Sequence, residues 1–166
     1  MPKINSKHVY DIVFIGNLDT RRVEILNYIS KYFVINIWCE NSFYKKNLNK
    51  NIILHKSVYG KGYSKVISES KICLNILREH NLKSQSVNMR DYEVLGLKKV
   101  LLRDYTNDGY HYLRKYNNCF FFKEKSEIPK ILRKLLKYNI EPNNLHVNSP
   151  NDLSNNIKEE YFKLIK

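Results

Sequence analysis

The chain has 166 residues, with 29 Lys and Arg against 16 Asp and Glu, and a formal net charge of +13. This length forms one domain with a sizeable core. The charge favours phosphate-bearing partners. However, Lys, Asn, Ile and Tyr are abundant along the whole chain, as a composition bias of the source genome would produce, and no dense basic block occurs. No apolar stretch has the length of a membrane span and residues 1–11 lack a signal-peptide core, so we expect a cytoplasmic protein.

The cysteines and histidines show no pattern typical of disulfides or metal sites. Cys39, Cys73 and Cys119 are far apart, and each lies in or beside an apolar run. They are therefore predicted to be buried thiols in a reducing compartment. The five histidines lack the spacing of HExxH or of paired CxxC motifs. We expect neither a metal centre nor a metal cofactor.

Apolar runs alternate with helical periodicity in the first half of the chain. The β-branched and aromatic run Tyr10–Ile15 ends at Gly16-Asn17 and predicts a strand followed by a turn. Apolar residues at helical spacing then predict a helix over 20–32. The remaining predictions in this half are a strand over 33–38, a polar loop with a short helix over 41–51, a strand over 52–54, a loop with two glycines over 57–62 and a helix over 63–70.

The second half repeats this alternation. Strands are predicted over 71–77, 99–103 and Cys119–Phe122, with a polar turn over 78–85, a short helix following 86 and a helical segment over 107–115. Ser126 begins a strongly amphipathic helix that carries Pro129 in its first turn. Ser149 as N-cap and Pro150 at the first helical position predict a C-terminal docking helix over 149–166.

Strands that alternate with helices at this spacing favour parallel βαβ units with right-handed crossovers. The predicted fold is a single Rossmann-like three-layer α/β domain over residues 1–166, with a mainly parallel sheet of about six strands. In such sheets the ligand lies beyond the carboxyl ends of the strands. The candidate contacts at these ends are Gly16, Asn17, Lys61, Asn75, Arg78 and Thr106. Lys61 lies between two glycines, but without the spacing of a full phosphate-binding loop, and a flexible lid is the alternative.

Arg90 and Glu93 are the most informative pair of polar residues. Three residues apart, they share one helical face near the predicted start of a helix. Backbone N–H groups and the positive end of the helix dipole also point outward there. Such a place suits the ribose and phosphates of a nucleotide. The alternatives are a solvated Glu93 and an Arg90 that only orients Glu93.

Two motifs in the chain resemble a known family. S-K-I-x-L-N at Ser70–Asn75 and R-x-[FY]-E at 90–93 are similar to the C-terminal half of GT-B-fold glycosyltransferases, in particular the spore-maturation (CgeB-like) group. The resemblance covers roughly 10–138 and implies a domain that binds a nucleotide-sugar donor of the UDP or GDP type. It implies ribose contact by Glu93 and a diphosphate facing Gly16, Asn17 and Arg21 or Arg22. The implied chemistry is stabilisation of the leaving nucleoside diphosphate by Arg and Lys, without a metal.

The chain departs from the family pattern at three points. Gln85 stands where the wider retaining family often has a second nucleotide-contacting Glu, and 96–98 replaces the usual Ala-x-Gly turn. In addition, a GT-B enzyme works between two such domains, whereas this chain has one. The resemblance therefore implies a fragment of a hexosyltransferase-type enzyme, a chain that pairs with a separate acceptor-binding domain, or a domain without catalysis.

Two alternatives from other classes remain open. A basic nucleic-acid-binding module would account for the charge of +13 and the thirteen tyrosines, and its affinity would fall steeply with salt. Most aromatic residues fall within predicted strands and core faces rather than among basic residues on one surface, which disfavours this hypothesis. A non-catalytic interaction domain that keeps the fold is the second alternative.

Overall fold

The computed structural model describes residues 8–40 and 42–138 and contains a six-stranded parallel sheet. The strands are β1 (Tyr10–Ile15), β2 (Ile35–Trp38), β3 (Ile52–His55), β4 (Ser70–Asn75), β5 (Val100–Asp104) and β6 (Cys119–Phe122). The helices are α1 (Thr20–Ser30), α2 (Gly60–Ser68), α3 (Glu79–Lys83), α4 (Met89–Gly96), α5 (Asn107–Leu113) and α6 (Ile128–Tyr138), with a 3₁₀ helix over Ser42–Asn47. The prediction of a Rossmann-like α/β domain is confirmed.

The strands lie in the order β3-β2-β1-β4-β5-β6, and every neighbouring pair is parallel. After β3 the chain crosses back past β1, so that β4 pairs with the other side of β1. Because right-handed crossovers in opposite directions place their helices on opposite faces, the connections diverge on either side of β1 and β4. This divergence opens a crevice at the carboxyl ends of the two strands, where α/β sheets bind ligands.

The central strands are buried on both faces, which explains their nearly continuous apolar sequences. Phe14 in β1, Leu74 in β4 and Leu101 in β5 are each at most 1% exposed. The three cysteines are buried thiols, as the sequence predicted: Cys39, Cys73 and Cys119.

The structure corrects two local predictions. Helix α2 begins at Gly60, so 60–62 form its first turn and the prediction of a loop there is wrong. Glycine is a poor helix former, and the helix is instead stabilised by Val66 and Ile67, which are buried in the core. The predicted turn over 78–85 contains the short helix α3. The predicted docking helix over 149–166 lies outside the described residues.

The 96–98 turn between α4 and β5 takes a form that usually contains glycine. Lys98 has a left-handed φ of +55°. Its N–H donates to the Leu95 carbonyl (3.0 Å), and the Lys99 N–H donates to the Val94 carbonyl (3.2 Å). These two bonds define a Schellman motif. The turn therefore closes tightly although a lysine stands where the family usually has glycine.

No helix in the described part of the chain is long and apolar enough to cross a membrane.

Candidate functional site

A cleft of about 720 Å³ lies at the carboxyl ends of β1 and β4. Its walls come from the segments that follow β1, β2, β3 and β4, and from the first turns of α2 and α4. Six residues that the sequence singled out line it: Gly16, Asn17, Arg22, Arg78, Arg90 and Glu93. The fold therefore brings together residues that are up to 77 positions apart in the chain.

Gly16 and Arg90 are in contact at the base of this cleft. Gly16 has a φ of +146°, which residues other than glycine rarely adopt. Its N–H donates to the Trp38 carbonyl (2.9 Å). A Cβ built on Gly16 would lie 3.1 Å from Arg90 Nη1. The glycine thus serves both the turn after β1 and the close approach of a guanidinium. Arg90 Nε is buried and has no hydrogen-bond partner in the described part of the chain, which leaves a donor unsatisfied.

Arg22 supplies a second guanidinium, held rigidly by backbone carbonyls. Its Nε donates to the Ile76 carbonyl (2.8 Å) and its Nη1 to the Asn17 carbonyl (2.7 Å). Burial lowers the pKa of Arg22 to about 10, an effect that Asp19 opposes. The positive charges of Arg78 and Arg90 lower it further. Arg22 remains charged at neutral pH, so the three guanidinium groups make this end of the cleft positive and suited to an anion.

Glu93 on α4 is paired with Tyr63 on α2. The Tyr63 hydroxyl donates to Glu93 Oε2 over 2.7 Å, and both residues line the cleft. Burial raises the pKa of Tyr63 to about 12, although Arg90 opposes the rise. The phenol therefore stays protonated and remains a donor. Tyr63 is not predictable from the sequence, because nothing near it in the chain indicates that α2 packs beside α4.

A second tyrosine and carboxylate line the cleft on the side of β2. The Tyr59 hydroxyl donates to Glu40 Oε2 over 2.9 Å. Tyr59 is the N-cap of α2, and Glu40 follows β2 by two residues. Both are exposed. Neither residue was predicted from the sequence, since a lone carboxylate after a strand is normally a solvated residue.

Asp91 fixes the start of α4 on the side that faces the protein interior. It lies between Arg90 and Glu93 in sequence, but its side chain is buried. Asp91 accepts from Arg103 Nη1 (2.8 Å) and Asn75 Nδ2 (2.6 Å), and it forms a capping box with Asn88. Burial raises the pKa of Asp91, and Arg103 only partly offsets this effect. Asn75 thus supports the helix that carries Arg90 and Glu93, and it does not line the cleft.

Arg21, which the resemblance placed at the diphosphate, points away from the cleft. Its Nη1 donates to Asp104 Oδ2 (3.0 Å) and to the Leu77 carbonyl (2.8 Å), and its Nη2 donates to Asp104 Oδ1 (2.5 Å). This bidentate pair joins α1 to the end of β5. Of the two adjacent arginines in the chain, the structure therefore places only Arg22 in the cleft.

Three further sequence candidates also lie outside the cleft lining. Gln85 bridges two elements, because it donates to the Leu82 carbonyl (2.7 Å) and accepts from the Asn107 N–H (2.8 Å). Thr106 is the N-cap of α5. Lys61 is exposed on α2. Within the described ranges, no group of three or more His, Cys, Asp or Glu is placed to hold a metal ion.

The fold and the cleft together define one class of protein: a Rossmann-like α/β domain with a positively charged cleft at its topological switch point. A family model described as "Glycosyl transferase-like" matches residues 21–145. The chain therefore belongs to the glycosyl transferase-like family. No curated protein sequence matches it.

Several solved structures share the fold at low sequence identity. UDP-GlcNAc 2-epimerase from Neisseria meningitidis bound to UDP-GlcNAc has a TM-score of 0.55 at 15% identity, over 94% of this chain and 44% of that chain. TarM has a TM-score of 0.58 at 14% identity, over 98% and 36% of the two chains. AviGT4, a glycosyltransferase involved in avilamycin A biosynthesis, has a TM-score of 0.57 at 7% identity, over 96% and 51%. The chain thus spans between about a third and a half of the length of these structures.

Proposed function

We propose that the chain is the donor-binding domain of a hexosyltransferase-type glycosyltransferase of the CgeB-like group, which binds a nucleotide-sugar of the UDP or GDP type in the cytoplasm. The observation that carries this proposal is the contact of Arg90 with Gly16 at the β1/β4 switch point, with Arg22 and Arg78 beside it. A diphosphate bound there would accept hydrogen bonds from the Arg90 guanidinium, whose Nη1 and Nη2 lie nearest to Gly16.

Glu93 is assigned to the ribose. A carboxylate can accept hydrogen bonds from the two ribose hydroxyl groups. The Glu93 carboxylate is held in place by Tyr63, whose hydroxyl donates to Glu93 Oε2. Arg90 and Glu93 lie one turn apart on α4 and both line the cleft. The diphosphate and the ribose are likewise adjacent within one nucleotide.

The chemistry assigned to the arginines is stabilisation of the leaving group. When the bond between the anomeric carbon and the phosphate oxygen breaks, the departing nucleoside diphosphate gains negative charge. Guanidinium groups that are already fixed in place, as Arg22 is by two carbonyls, stabilise that charge without reorganisation. The proposal needs no metal for this step. The acceptor site belongs to a second domain or a separate chain.

Calorimetric titration with UDP and GDP tests the proposal. Loss of a charge-assisted hydrogen bond costs about 1.5 to 3 kcal/mol, so Arg90→Gln should weaken binding about tenfold to a hundredfold. Lys61→Gln is the control, because it removes one positive charge from an exposed position outside the cleft. Its affinity should change by less than about twofold.

Two results would contradict the proposal. One is the absence of binding by any nucleoside diphosphate. The other is tight binding of DNA or RNA that weakens steeply with salt and is equally affected by both substitutions, which would favour a nucleic-acid-binding module.

A further inference from the structure

Two carboxylate–tyrosine pairs lie along the start of α2. Tyr63 donates to Glu93 Oε2 over 2.7 Å, and Tyr59 donates to Glu40 Oε2 over 2.9 Å. All four side chains line the same cleft. In each pair the hydroxyl occupies one acceptor position of Oε2, so that Oε1 and the second acceptor position of Oε2 can still accept hydrogen bonds from a ligand.

The two tyrosines place the two carboxylates beside the start of α2. Tyr59 and Tyr63 are four residues apart at the start of one helix, and residues so spaced are neighbours, with Cβ atoms about 5–6 Å apart. Glu93 reaches this surface from α4 and Glu40 reaches it from the end of β2. The two acceptors therefore lie beside the start of the same helix, Glu93 at Tyr63 and Glu40 at Tyr59.

The direction of the nucleoside follows from the positive end of the cleft. With the diphosphate at Gly16 and Arg90 and the ribose at Glu93, we place the base along the start of α2, toward the wall beside Tyr59 rather than toward the wall after β4. That wall is built from the segments after β2 and β3, and Glu40 is its acidic residue. Glu40 is thus placed to meet the base.

A carboxylate accepts hydrogen bonds and cannot donate them when ionised. Guanine presents two adjacent donors, N1–H and the N2 amino group, which match the two oxygens of a carboxylate. Uracil presents one N–H between two carbonyl oxygens, while adenine and cytosine each present an amino group beside a ring-nitrogen lone pair. Each of these other bases brings an acceptor against the carboxylate, which disfavours its binding.

We propose that Glu40 selects the base and that the donor is a guanosine diphosphate sugar. This inference rests on the proposed function, because it assumes that a nucleotide occupies the cleft. It assigns to Glu40 and Tyr59 a role in specificity that is separate from the role of Arg90 and Glu93 in affinity.

Titrations with GDP, inosine diphosphate and UDP test the inference, because inosine diphosphate lacks only the N2 amino group of guanine. Trp38 is the single tryptophan, lines the cleft and precedes Glu40 by two residues, so its fluorescence reports binding near the base. Calorimetry measures the same dissociation constants independently. Since a hydrogen bond to a charged group is lost, GDP should bind about tenfold to a hundredfold more tightly than inosine diphosphate, with UDP at least as weak.

Two matched variants separate base recognition from ribose recognition. Glu40→Gln replaces one oxygen by a donor, so the ratio of the inosine diphosphate and GDP dissociation constants should fall to within about threefold of one. Glu93→Gln should weaken GDP and inosine diphosphate equally, by about tenfold, and leave their ratio unchanged.

Equal binding of GDP and UDP, or a GDP preference that persists in Glu40→Gln, would overturn the assignment of Glu40 while leaving the proposed function intact. If none of the three nucleotides binds by calorimetry, both the proposed function and this inference fail.

Discussion

The Arg103 guanidinium and the Asp91 carboxylate form an ion pair of 2.8 Å between β5 and α4, and neither side chain is exposed to solvent. Arg103 also donates to the Asp104 carbonyl (3.0 Å) and to Thr106 Oγ1 (3.2 Å). This buried pair therefore holds α4 against the sheet from the side opposite to the cleft. The position of Arg90 in the cleft depends on it.

Removal of Asp91 should strongly destabilise the domain. Asp91→Ala leaves the Arg103 charge buried without its partner, which costs about 3–5 kcal/mol of unfolding free energy. Urea unfolding measures this loss. The exposed pair of Glu79 and Lys83, with side chains 75% and 77% exposed, supplies the control, and Glu79→Ala should cost less than about 0.5 kcal/mol. Similar losses in the two variants would show that the buried pair has no special role.

Gly109 should not tolerate alanine. A Cβ at this position would lie 2.4 Å from Thr106 Oγ1 and 2.6 Å from Arg103 Nη1, so Gly109→Ala must displace the buried network. Overpacking of this kind costs about 1–3 kcal/mol, which thermal or urea unfolding can measure. Gly96→Ala is the matched control, since no atom lies within 4 Å of its Cβ position on α4. It should be neutral or stabilise by up to about 1 kcal/mol. A similar loss of unfolding free energy in both variants would contradict this difference in packing.

Lys98→Gly should increase stability. A left-handed conformation costs a residue with a Cβ about 1–2 kcal/mol, and the greater freedom of glycine in the unfolded chain cancels part of the gain. With a φ of +55° at Lys98, we expect a net increase of about 0.5–1 kcal/mol in the free energy of unfolding. Lys98→Ala keeps the Cβ and should show no such gain. An equal gain in the two variants would mean that the lysine charge, and not its backbone, limits stability.

His55 should make stability depend on pH. Its ring stacks on Trp38 with centroids 4.2 Å apart, its Nε2 lies 2.8 Å from Asn36 Oδ1, and burial lowers its pKa from the ordinary 6.5. Between the lowered pKa and 6.5 the unfolded chain binds more protons, so stability falls as pH decreases through this window. His55→Gln should remove this contribution. The test is the difference in unfolding free energy between wild type and variant from pH 8 to pH 5, and a constant difference would exclude His55 as the cause.

The strands were largely predictable from the sequence. The bounds of β1 and β6 agree with the predicted Tyr10–Ile15 and Cys119–Phe122, because strands buried on both faces require continuous apolar side chains. The placement of Gly16, Asn17, Arg90 and Glu93 at one cleft also followed from a general property of parallel sheets, whose carboxyl ends share one edge.

The start of α2 at Gly60 and the short helix α3 were not predictable, because local propensity opposes the first and the second is too short to show periodicity. Nor did adjacent arginines reveal their separate positions. Arg22 lines the cleft and Arg21 binds Asp104. Adjacent residues on α1 point in different directions, and the partner of Arg21 lies on a strand 83 positions away in the chain.

The sequence by itself determined the fold class and the edge of the sheet at which the cleft lies, since the order of apolar runs, helices and glycine turns is local information. Only the tertiary structure decided which side chains meet there. The strand order places β4 beside β1 and brings α2 against α4 and the end of β2, and this creates the pairs Tyr63–Glu93 and Tyr59–Glu40. Such contacts depend on how non-adjacent elements pack, and that packing has no signature in the residues around any one of them.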